Sequence, residues 1–397
     1  MQKLTNNNSI NNGKRELELY IHIPFCVKKC AYCDFLSAAA DEKSRFVYMN
    51  ALKKEIAKKG KSIKQTTVTS VFVGGGTPTV LSGEMLVDLL ECVKASFDVD
   101  DNAEITFECN PGTADYDKLK RCREAGYNRI SIGLQSAQDD ELKRLGRIHD
   151  YAAFEATYRY AVECGFDNIN VDLMSAIPGQ TMESIDDSLD RLLALNPKPT
   201  HISSYSLILE EGTLFWSMDE AGELELPDED TERAMHWRII DRLEQEGYRE
   251  YELSNLAIPG YECKHNIGYW IRKDYIGLGL GAASLYNGKR QSNTRSMDEY
   301  LAYYNNDEGE EEPLSEDIML TKADETEEFM FLGLRLTEGI STRLFKDIFG
   351  ADINDIYGEV IRKNIELGLL ETADDYLRLT RKGQDLANYV FSQFILE

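Results

Sequence analysis

LYIHIPFCVKKCAYC, residues 19–33, is the stretch that decides the fold. Residues 19–25 are apolar and contain Pro24, which is typical of a short buried strand that ends at a proline. Three cysteines follow at the spacing C-x-x-x-C-x-x-C: Cys26, Cys30 and Cys33. Three thiolates are one fewer than the four ligands that usually hold a [4Fe–4S] cluster or a structural zinc ion, so one iron of a cluster stays open to a small molecule. Zinc ligands usually come as two separated pairs, and no second C-x-x-C pair exists, so the spacing favours a cluster over zinc or a disulfide.

Residues 20–35, YIHIPFCVKKCAYCDF, resemble the cluster loop of the radical S-adenosylmethionine (SAM) superfamily. Within it they resemble the branch of oxygen-independent coproporphyrinogen III oxidase and its relative HemW, a haem chaperone. The similarity extends from about residue 17 to the C-terminus. The resemblance implies that SAM binds the open iron of a [4Fe–4S] cluster. One-electron reduction, from an electron donor, then cleaves SAM to methionine and a 5′-deoxyadenosyl radical.

Length and composition describe a globular chain. With 397 residues, 42% of them apolar, one large domain and a smaller one are expected. No apolar run approaches the ~18 residues that span a bilayer. Residues 1–16 are Asn-rich and lack the apolar segment of a signal peptide, so they are predicted to be a disordered N-terminus. Most of the eight cysteines lie scattered outside the loop, which favours free thiols in a reducing cytoplasm.

The charge balance argues against one class of partner. Lys and Arg number 44 against 70 Asp and Glu, which gives a net charge of −26. Binding to nucleic acid depends largely on neutralising phosphates, and so acidic a surface disfavours it. We therefore expect no nucleic-acid partner.

Strand and helix patterns alternate through the first half of the chain. Strand patterns lie at 17–23, 68–73, 103–107, 129–134, 169–174 and 201–207, and helix patterns between them at 42–59, 84–96, 116–124, 139–145, 152–163 and 183–193. This alternation predicts an α/β fold of βαβ units with a parallel sheet, and six units are fewer than the eight of a closed barrel. The resemblance implies a partial (β/α)6 radical SAM barrel with its site at the C-terminal ends of the strands.

The second half of the chain divides at an acidic stretch. We predict that the barrel, with a haem- or porphyrin-associated extension, covers residues 17–297 and that an acidic linker follows at 298–326. Helix patterns then lie at 327–336, 341–349 and 353–367, before a hairpin at 369–371 and 376–379 and a last helix from Lys382. Residues 327–397 therefore resemble the small, mostly helical, winged-helix-like C-terminal domain of the coproporphyrinogen oxidase family.

Polar and glycine-rich segments follow several of the predicted strands. Gly74-Gly75-Gly76-Thr77-Pro78 comes directly after one of them, where glycines allow a ligand to approach the backbone. A phosphate-binding P-loop is excluded because no Lys-Ser/Thr pair follows. Alone, the glycines are compatible with a simple turn, and the aromatic or acidic residues nearby with a core or surface role. The resemblance implies SAM contacts at Gly75, Gly76, Thr77 and Glu108, and at Tyr20 and Tyr32 beside the cysteines. It implies that Gln135, Arg147 and Asp172 line a second SAM or substrate pocket.

His22 precedes the cluster loop and is equally compatible with a place near the cofactor and with a buried, hydrogen-bonded strand histidine. It is not predicted to be catalytic.

Cys263-Lys264-His265-Asn266-Ile267-Gly268-Tyr269-Trp270 is the second distinctive segment. Cys263 and His265 offer axial ligands for haem iron, and Tyr269 and Trp270 offer rings that stack on a porphyrin. From residue 263 to 295 there are six basic residues and one acid, a basic island that suits porphyrin carboxylates. The alternative is an ordinary surface loop. HNxxYW, here residues 265–270, resembles the mark of HemW-like proteins and implies a haem site.

Three functions compete for this chain: a haem chaperone, a coproporphyrinogen III oxidase that makes protoporphyrinogen IX, and another radical SAM enzyme. The oxidases carry a fourth cysteine two residues after the third, where this chain has Phe35. They also carry an N-terminal extension, whereas only 25 residues precede Cys26. Both departures, with HNxxYW, favour a chaperone that lacks coproporphyrinogen III dehydrogenase activity. Its expected partners are haem, an electron donor and an unidentified acceptor protein, for which respiratory or membrane-associated proteins are candidates.

Overall fold

The computed structural model describes residues 10, 11, 14–306 and 311–396, and a mixed sheet of thirteen strands forms its centre. Three further strands form a small separate sheet. In chain order the strands are β1 (Ile10–Asn11), β2 (Lys14–Ile23), β3 (Thr66–Gly75), β4 (Val99–Cys109), β5 (Arg129–Gln135), β6 (Asn168–Ser175), β7 (His201–Ser206), β8 (Arg249–Glu252), β9 (Asn255–Ala257), β10 (Tyr275–Leu278), β11 (Ala283–Tyr286), β12 (Lys289–Asn293), β13 (Leu314–Met319), β14 (Ile340–Ser341), β15 (Leu370–Ala373) and β16 (Tyr376–Leu379).

Helices follow the parallel strands and form the second domain. In chain order they are α1 (Glu42–Ser62), α2 (Gly83–Ser96), α3 (Tyr116–Ala125), α4 (Asp139–Arg144), α5 (Tyr151–Glu163), α6 (Met182–Leu193), α7 (Leu214–Glu220), α8 (Glu229–Gln245), α9 (Lys264–Trp270), α10 (Met297–Asn306), α11 (Lys322–Gly333), α12 (Thr342–Phe349), α13 (Ile353–Glu366), α14 (Arg381–Asp385) and α15 (Ala387–Ser392). None of the described helices has both the length and the apolar character needed to cross a bilayer.

The strands β2 to β7 pair in parallel in the order of the sequence, with a helix after each of the first five. Every residue of β5 is buried, and its apolar side chains alternate with polar residues and a glycine. Side chains at the starts of the helices fix where these begin: Asp41, Ser82, Asp115, Asp150 and Thr181 each accept a bond from a backbone N–H of the first turn. The predicted fold class, a partial (β/α)6 barrel with a helical C-terminal domain, is confirmed.

The sheet continues beyond the six parallel strands at both edges. β10 pairs in parallel with β2, and β11, β12 and β13 continue from it as an antiparallel meander. At the other edge β9 pairs antiparallel with β7, and β8 pairs antiparallel with β9. The described path therefore runs from β13 to β8 without closing into a full barrel.

The acidic linker predicted at residues 298–326 is wrong for the residues that the structure describes there. Residue 298 onwards lies in α10, and Tyr300 of this helix is buried against α1, where its OH donates to Glu55 Oε2 at 2.5 Å. β13 then pairs with β12 as an edge strand, and of its two adjacent acids Glu316 is half-buried and Asp317 is exposed. A charged edge strand and a solvated linker have similar compositions, so the charge pattern alone does not distinguish the two structures.

The predicted disordered N-terminus also needs correction in part. β2 begins at Lys14, and its Lys14–Arg15 end pairs with Ile10–Asn11 of β1. Residues 1–9, 12 and 13 lie outside the described residues.

The C-terminal residues pack around a core of their own. Phe329, Phe345, Phe349, Tyr357 and Phe394 are buried together there. α11, α12 and α13 precede the hairpin of β15 and β16, and β14 joins that hairpin as a third strand. α12, α13 and the hairpin lie within two residues of the predicted ranges, whereas α11 begins at Lys322, five residues before its predicted start and inside the predicted linker.

Candidate functional site

The C-terminal ends of β2 to β6 bring the cysteine loop and the predicted SAM residues together. Gly75 ends β3, Glu108 lies at the end of β4, Gln135 ends β5, and Asp172 lies near the end of β6. The carboxyl ends of parallel strands share one edge of a sheet, which is where ligand sites in such folds are built.

The cysteine loop is tied to several neighbouring segments by backbone hydrogen bonds. Cys26 N donates to Ala38 O at 3.0 Å, and Ala31 N donates to Leu145 O at 3.0 Å. Ala31 O in turn accepts from Phe215 N at 3.0 Å. The fold therefore holds the loop from three sides and leaves its three thiols free of disulfides and only partly exposed.

The three thiols are not gathered around one point. Across the described residues, no group of three or more His, Cys, Asp and Glu side chains has the compact arrangement that a single metal ion needs.

Gly74 to Thr77 pack directly against the start of the cysteine loop. Gly76 N donates to Ile23 O at 2.9 Å and Thr77 N donates to Phe25 O at 2.7 Å, while Thr77 Oγ1 lies 3.5 Å from Cys26 Sγ. A Cβ on Gly76 would stand 2.5 Å from Phe25 O. Close backbone packing at this junction therefore requires the glycine.

Gly75 has both a conformational and a steric reason to be glycine. Its φ of +106° is one that L side chains rarely adopt, and a Cβ there would meet the His22 ring at a distance under 3.0 Å. Its N–H donates to Glu108 Oε2 at 2.9 Å, which holds that carboxylate at the site.

His22 is a hydrogen-bonded strand histidine beside the site. Its Nε2 lies 2.8 Å from Leu36 O, which can only accept, so Nε2 carries the hydrogen. Nδ1 is then the acceptor for the Tyr20 OH at 3.0 Å. Burial lowers the pKa of His22, which keeps the ring neutral. Tyr20 and the cysteine loop are thereby linked through one imidazole.

Arg147 reaches across the mouth of the barrel. Its Nη1 lies 3.7 Å from Cys30 Sγ, and its Nη2 donates to Gly133 O at 2.7 Å and to Asn110 Oδ1. Its Nε is buried without a hydrogen-bond partner in the described part of the chain. Arg147 therefore joins the cysteine loop to the ends of β4 and β5.

The remaining predicted SAM residues line the same mouth. Gln135 has a φ of +70°, and its Oε1 accepts from the Tyr205 OH at 2.8 Å. Asp172 Oδ1 accepts from Asn170 Nδ2 at 2.7 Å. Tyr32 is half-buried, and burial raises the pKa of its phenol, while the charge of Arg147 lowers that pKa and the charge of Asp172 raises it.

Two carboxyl groups make this mouth electrostatically unusual. Burial, and secondly the charge of Asp172, raise the pKa of Glu108 to about 7. Burial also raises the pKa of Asp172. Two half-buried acids that interact electrostatically make a site that favours a cation.

The predicted haem ligands Cys263 and His265 have other partners in the structure. Both are buried, at 0% and 1% exposure. Cys263 Sγ donates to Glu104 Oε1 at 3.4 Å, and His265 Nδ1 lies 2.8 Å from Ser70 Oγ. Both side chains therefore face the barrel interior from α9, where haem iron does not reach them as direct ligands without rearrangement.

The predicted basic island is also largely neutralised. Arg272 and Arg290 both pair with Glu328, at 2.9 and 2.6 Å, and Lys273 pairs with Glu16 at 2.7 Å. Lys289 pairs with Asp317 at 2.6 Å. These acids lie far away in the sequence, so a count over residues 263–295 could not include them.

Tyr269 and Trp270, at the end of the same helix, face a cavity of about 410 Å³. We call it the aromatic pocket; it lies between β2, β10 and β11 of the sheet, α9, and α11 of the C-terminal domain. Its lining comprises Tyr20, Tyr269, Trp270, Tyr275, Ala283, Leu285, Arg290, Glu328, Phe331 and Leu332.

Sequence reasoning missed several residues of these two sites. Asn110, which accepts a hydrogen bond from Arg147, directly follows β4, and Tyr205, which donates one to Gln135, lies in β7. The predicted site residues have the same kind of position, so both could have been found from the sequence. Phe331 and Leu332 had no such signal, because only the packing of α11 on the sheet brings them to the pocket.

Two family models match the chain. The radical SAM superfamily model matches residues 20–192, and the HemN C-terminal domain model matches residues 320–386.

Curated relatives match it over nearly its whole length. It is 36% identical to the haem chaperone HemW of Bacillus subtilis (strain 168), over 95% of this chain and 99% of that protein. It is 35% identical to the haem chaperone HemW of Escherichia coli (strain K12), over 96% of this chain and 98% of the relative. A zebrafish (Danio rerio) mitochondrial protein, radical S-adenosyl methionine domain-containing protein 1, is 31% identical over 96% of this chain and 87% of its own.

One solved structure has the same fold throughout. Coproporphyrinogen III oxidase (HemN) from Escherichia coli, described as a radical SAM enzyme, superposes with a TM-score of 0.83 over 98% of this chain and 92% of its own. The two sequences are 23% identical, so this similarity concerns the fold.

Proposed function

Since this chain belongs to the HemW family of haem chaperones within the radical SAM superfamily, we propose that it binds haem and passes it to an acceptor protein. The observation that carries the proposal is the 36% identity to a haem chaperone over 95% of this chain. As a member of this family it binds a [4Fe–4S] cluster, SAM and haem.

Cys26, Cys30 and Cys33 are the proposed ligands of the cluster. They suit it because three thiols free of disulfides lie in one loop that the backbone holds in place. When bound, the cluster and SAM supply one-electron chemistry at the barrel mouth. The protein's own part is to fix the loop against Gly76 and Thr77.

The SAM site is proposed to consist of the residues that meet at the strand ends. Glu108 and Asp172 are half-buried acids whose carboxyl groups favour the positive sulfonium of SAM, and the Arg147 guanidinium favours its carboxylate. The full set is Tyr20, Tyr32, Gly75, Gly76, Thr77, Glu108, Gln135, Arg147 and Asp172.

SAM binding is expected to strengthen as the pH rises from 6 to 8. The Glu108 pKa of about 7 means that its carboxyl is mostly protonated at pH 6 and mostly ionised at pH 8. The sulfonium charge of SAM is permanent, so ionised Glu108 attracts it more strongly, and the affinity should rise ~tenfold over this range. Calorimetric titration of the reconstituted protein measures it. The matched variant Glu108→Gln should bind more weakly at pH 8 and lose the pH dependence; an unchanged pH profile would contradict the role of Glu108.

Two assays, one of haem transfer and one of coproporphyrinogen III oxidation, distinguish the proposed haem chaperone from the alternative, an oxidase. The anaerobically reconstituted protein should give a Soret band with added haem. It should then transfer the haem to a haem protein that is supplied in excess without its haem. With SAM, a reductant and coproporphyrinogen III, no protoporphyrinogen IX should form, because Phe35 stands where the oxidases carry a fourth cysteine. Stoichiometric decarboxylation would favour the oxidase instead.

The partners and location follow from the same proposal. A haem acceptor and an electron donor to the cluster are required, and their identities are open. All eight cysteines are free thiols, which favours a cytoplasmic location, where thiols stay reduced.

A further inference from the structure

Arg147 places a positive charge beside the cysteine loop. Its Nη1 lies 3.7 Å from Cys30 Sγ, which is its acceptor in the described part of the chain. Its Nη2 donates to Asn110 Oδ1 and, at 2.7 Å, to Gly133 O, and both of these acceptors are uncharged. Arginine stays protonated in proteins, so the guanidinium carries a full charge at this position.

No carboxylate neutralises this charge at close range. Among the described residues, no carboxylate oxygen lies within 4.0 Å of the Arg147 guanidinium nitrogens. The charge of Asp172 acts on it from a greater distance. By contrast, Arg272 and Arg290 both form ion pairs with Glu328. Over the ranges that the structure describes, Arg147 is therefore a cation without a close counter-ion.

The fold holds the guanidinium at the thiol. Ala31, which follows Cys30, donates its N–H to Leu145 O at 3.0 Å, and Leu145 lies two residues before Arg147. A Cβ on Gly133 would stand 3.0 Å from Arg147 Nη2, so the glycine leaves room for the guanidinium against the backbone. The backbone around both residues therefore fixes the distance between the charge and the thiol.

We propose that Arg147 tunes the reduction potential of the cluster, raising it so that the cluster accepts an electron more readily. This inference rests on the cluster binding proposed above and adds which residue adjusts the cluster. One-electron reduction adds one negative charge to the cluster and its thiolates, and the electron comes from the low-potential one-electron donor that the proposed function requires. A fixed cation stabilises the added charge, and so does a hydrogen bond to a ligand sulfur.

The position of Arg147 away from water makes the effect of its charge large. Arg147 is half-buried, and its Nε is buried. Two charges interact more strongly where water is excluded from between them. Lys28 and Lys29 are cations of the cysteine loop itself, but both are exposed, so water and salt screen their charges. The cation with the larger effect is therefore the distant arginine and not the lysines beside the cysteines.

Asn110 is the positioning residue of this arrangement. Its amide oxygen accepts from Arg147 Nη2, and its backbone N–H donates to Thr79 Oγ1 at 3.3 Å. A neutral amide holds the guanidinium without cancelling its charge, whereas a carboxylate at the same place would form an ion pair with it. Asn110→Asp therefore offers a way to neutralise Arg147 without removing its side chain.

Potentiometric titration of the anaerobically reconstituted protein, in the absence of SAM, tests the proposal. The EPR signal of the reduced cluster gives the reduced fraction at each potential. Arg147→Gln should lower the ratio of reduced to oxidised cluster ~tenfold at a given potential, which for one electron is a shift of about 59 mV to lower potential. Asn110→Asp should shift the potential in the same direction. Arg147→Lys keeps the charge and should recover roughly half of the loss.

Lys29→Gln is the matched control, because it also removes one positive charge from the surroundings of the cluster. Lys29 is exposed, so this variant should change the ratio of reduced to oxidised cluster less than about threefold. Iron and sulfide contents, measured for each variant, show how much cluster it holds.

The outcomes separate this inference from the function on which it rests. If the unaltered protein binds no [4Fe–4S] cluster, the proposed cluster site fails and the inference fails with it. If the cluster binds and Arg147→Gln leaves its potential unchanged, or Lys29→Gln shifts it as far, the tuning role is overturned while the cluster site stands. If Arg147→Gln takes up no cluster, Asn110→Asp decides, and an unchanged potential in that variant overturns the proposal.

Discussion

Replacing Cys30 by alanine is expected to leave the protein almost without its iron–sulfur cluster. Three thiolates are already one fewer than the usual four, so the loss of one leaves two, too few to hold a [4Fe–4S] centre. Iron and sulfide contents and the broad visible absorbance, measured after anaerobic reconstitution, report the loss. The fold itself should survive, because Cys30 is partly exposed and Arg147 keeps its bond to Gly133 O.

Cys92→Ala is the matched control for this experiment. Cys92 is also a partly exposed free thiol, but it lies on α2, where its Sγ donates to Lys53 O at 3.6 Å. Its replacement should leave the cluster intact. Full iron content in Cys30→Ala, or equal losses in both variants, would contradict the assignment of Cys26, Cys30 and Cys33 as ligands.

The parallel strands could be predicted from the sequence because the patterns of neighbouring residues determine them. β5 is buried throughout, and an apolar side chain occupies every second position in it, which is the alternation expected of a strand. The helices between the strands begin at side chains such as Asp41 and Ser82, which are recognisable N-caps. The strand patterns, the helix N-caps and the order of the strands along the chain therefore all predict the same structure for this half of the chain.

The edges of the sheet could not be predicted in this way. β10 has four residues and pairs with β2, where Tyr275 lies opposite Glu18, more than two hundred residues earlier. β13 is a charged edge strand, and its composition matches that of a solvated segment. In both cases the partner strand decides the structure, and a window of neighbouring residues does not contain it.

The two candidate sites also differ in how far neighbouring residues in the sequence determine where their side chains lie. The SAM residues follow strands, and parallel topology brings strand ends together, so position in sequence was sufficient. Cys263, His265, Tyr269 and Trp270 lie on or beside the seven-residue helix α9, where residue type gave no sign of which side faces inward. Packing on β3 and β4 turns His265 towards Ser70 and leaves Trp270 at the pocket.

Gly75→Ala is expected to impair both stability and SAM binding. The new Cβ would stand under 3.0 Å from the His22 ring at a φ of +106°. The crowding costs about 1–3 kcal/mol and the left-handed backbone about 1–2 kcal/mol, so the free energy of unfolding should fall by about 2–5 kcal/mol. A displaced His22 would also release Tyr20 and Leu36 O, and we expect SAM affinity to fall by roughly 100-fold.

Gly112→Ala separates the crowding from the backbone strain in that result. Gly112 has a φ of +82°, but a Cβ there meets nothing within 4 Å, so only the strain of about 1–2 kcal/mol should appear. Urea unfolding of the cluster-free variants measures the difference. The double variant Gly75→Ala, His22→Ala removes the ring that crowds the new Cβ and should recover part of the stability but not the SAM affinity, because the link from Tyr20 to the cysteine loop is then absent. If Gly75→Ala lowers the free energy of unfolding no more than Gly112→Ala does, the close packing of Gly75 against His22 does not stabilise this part of the site.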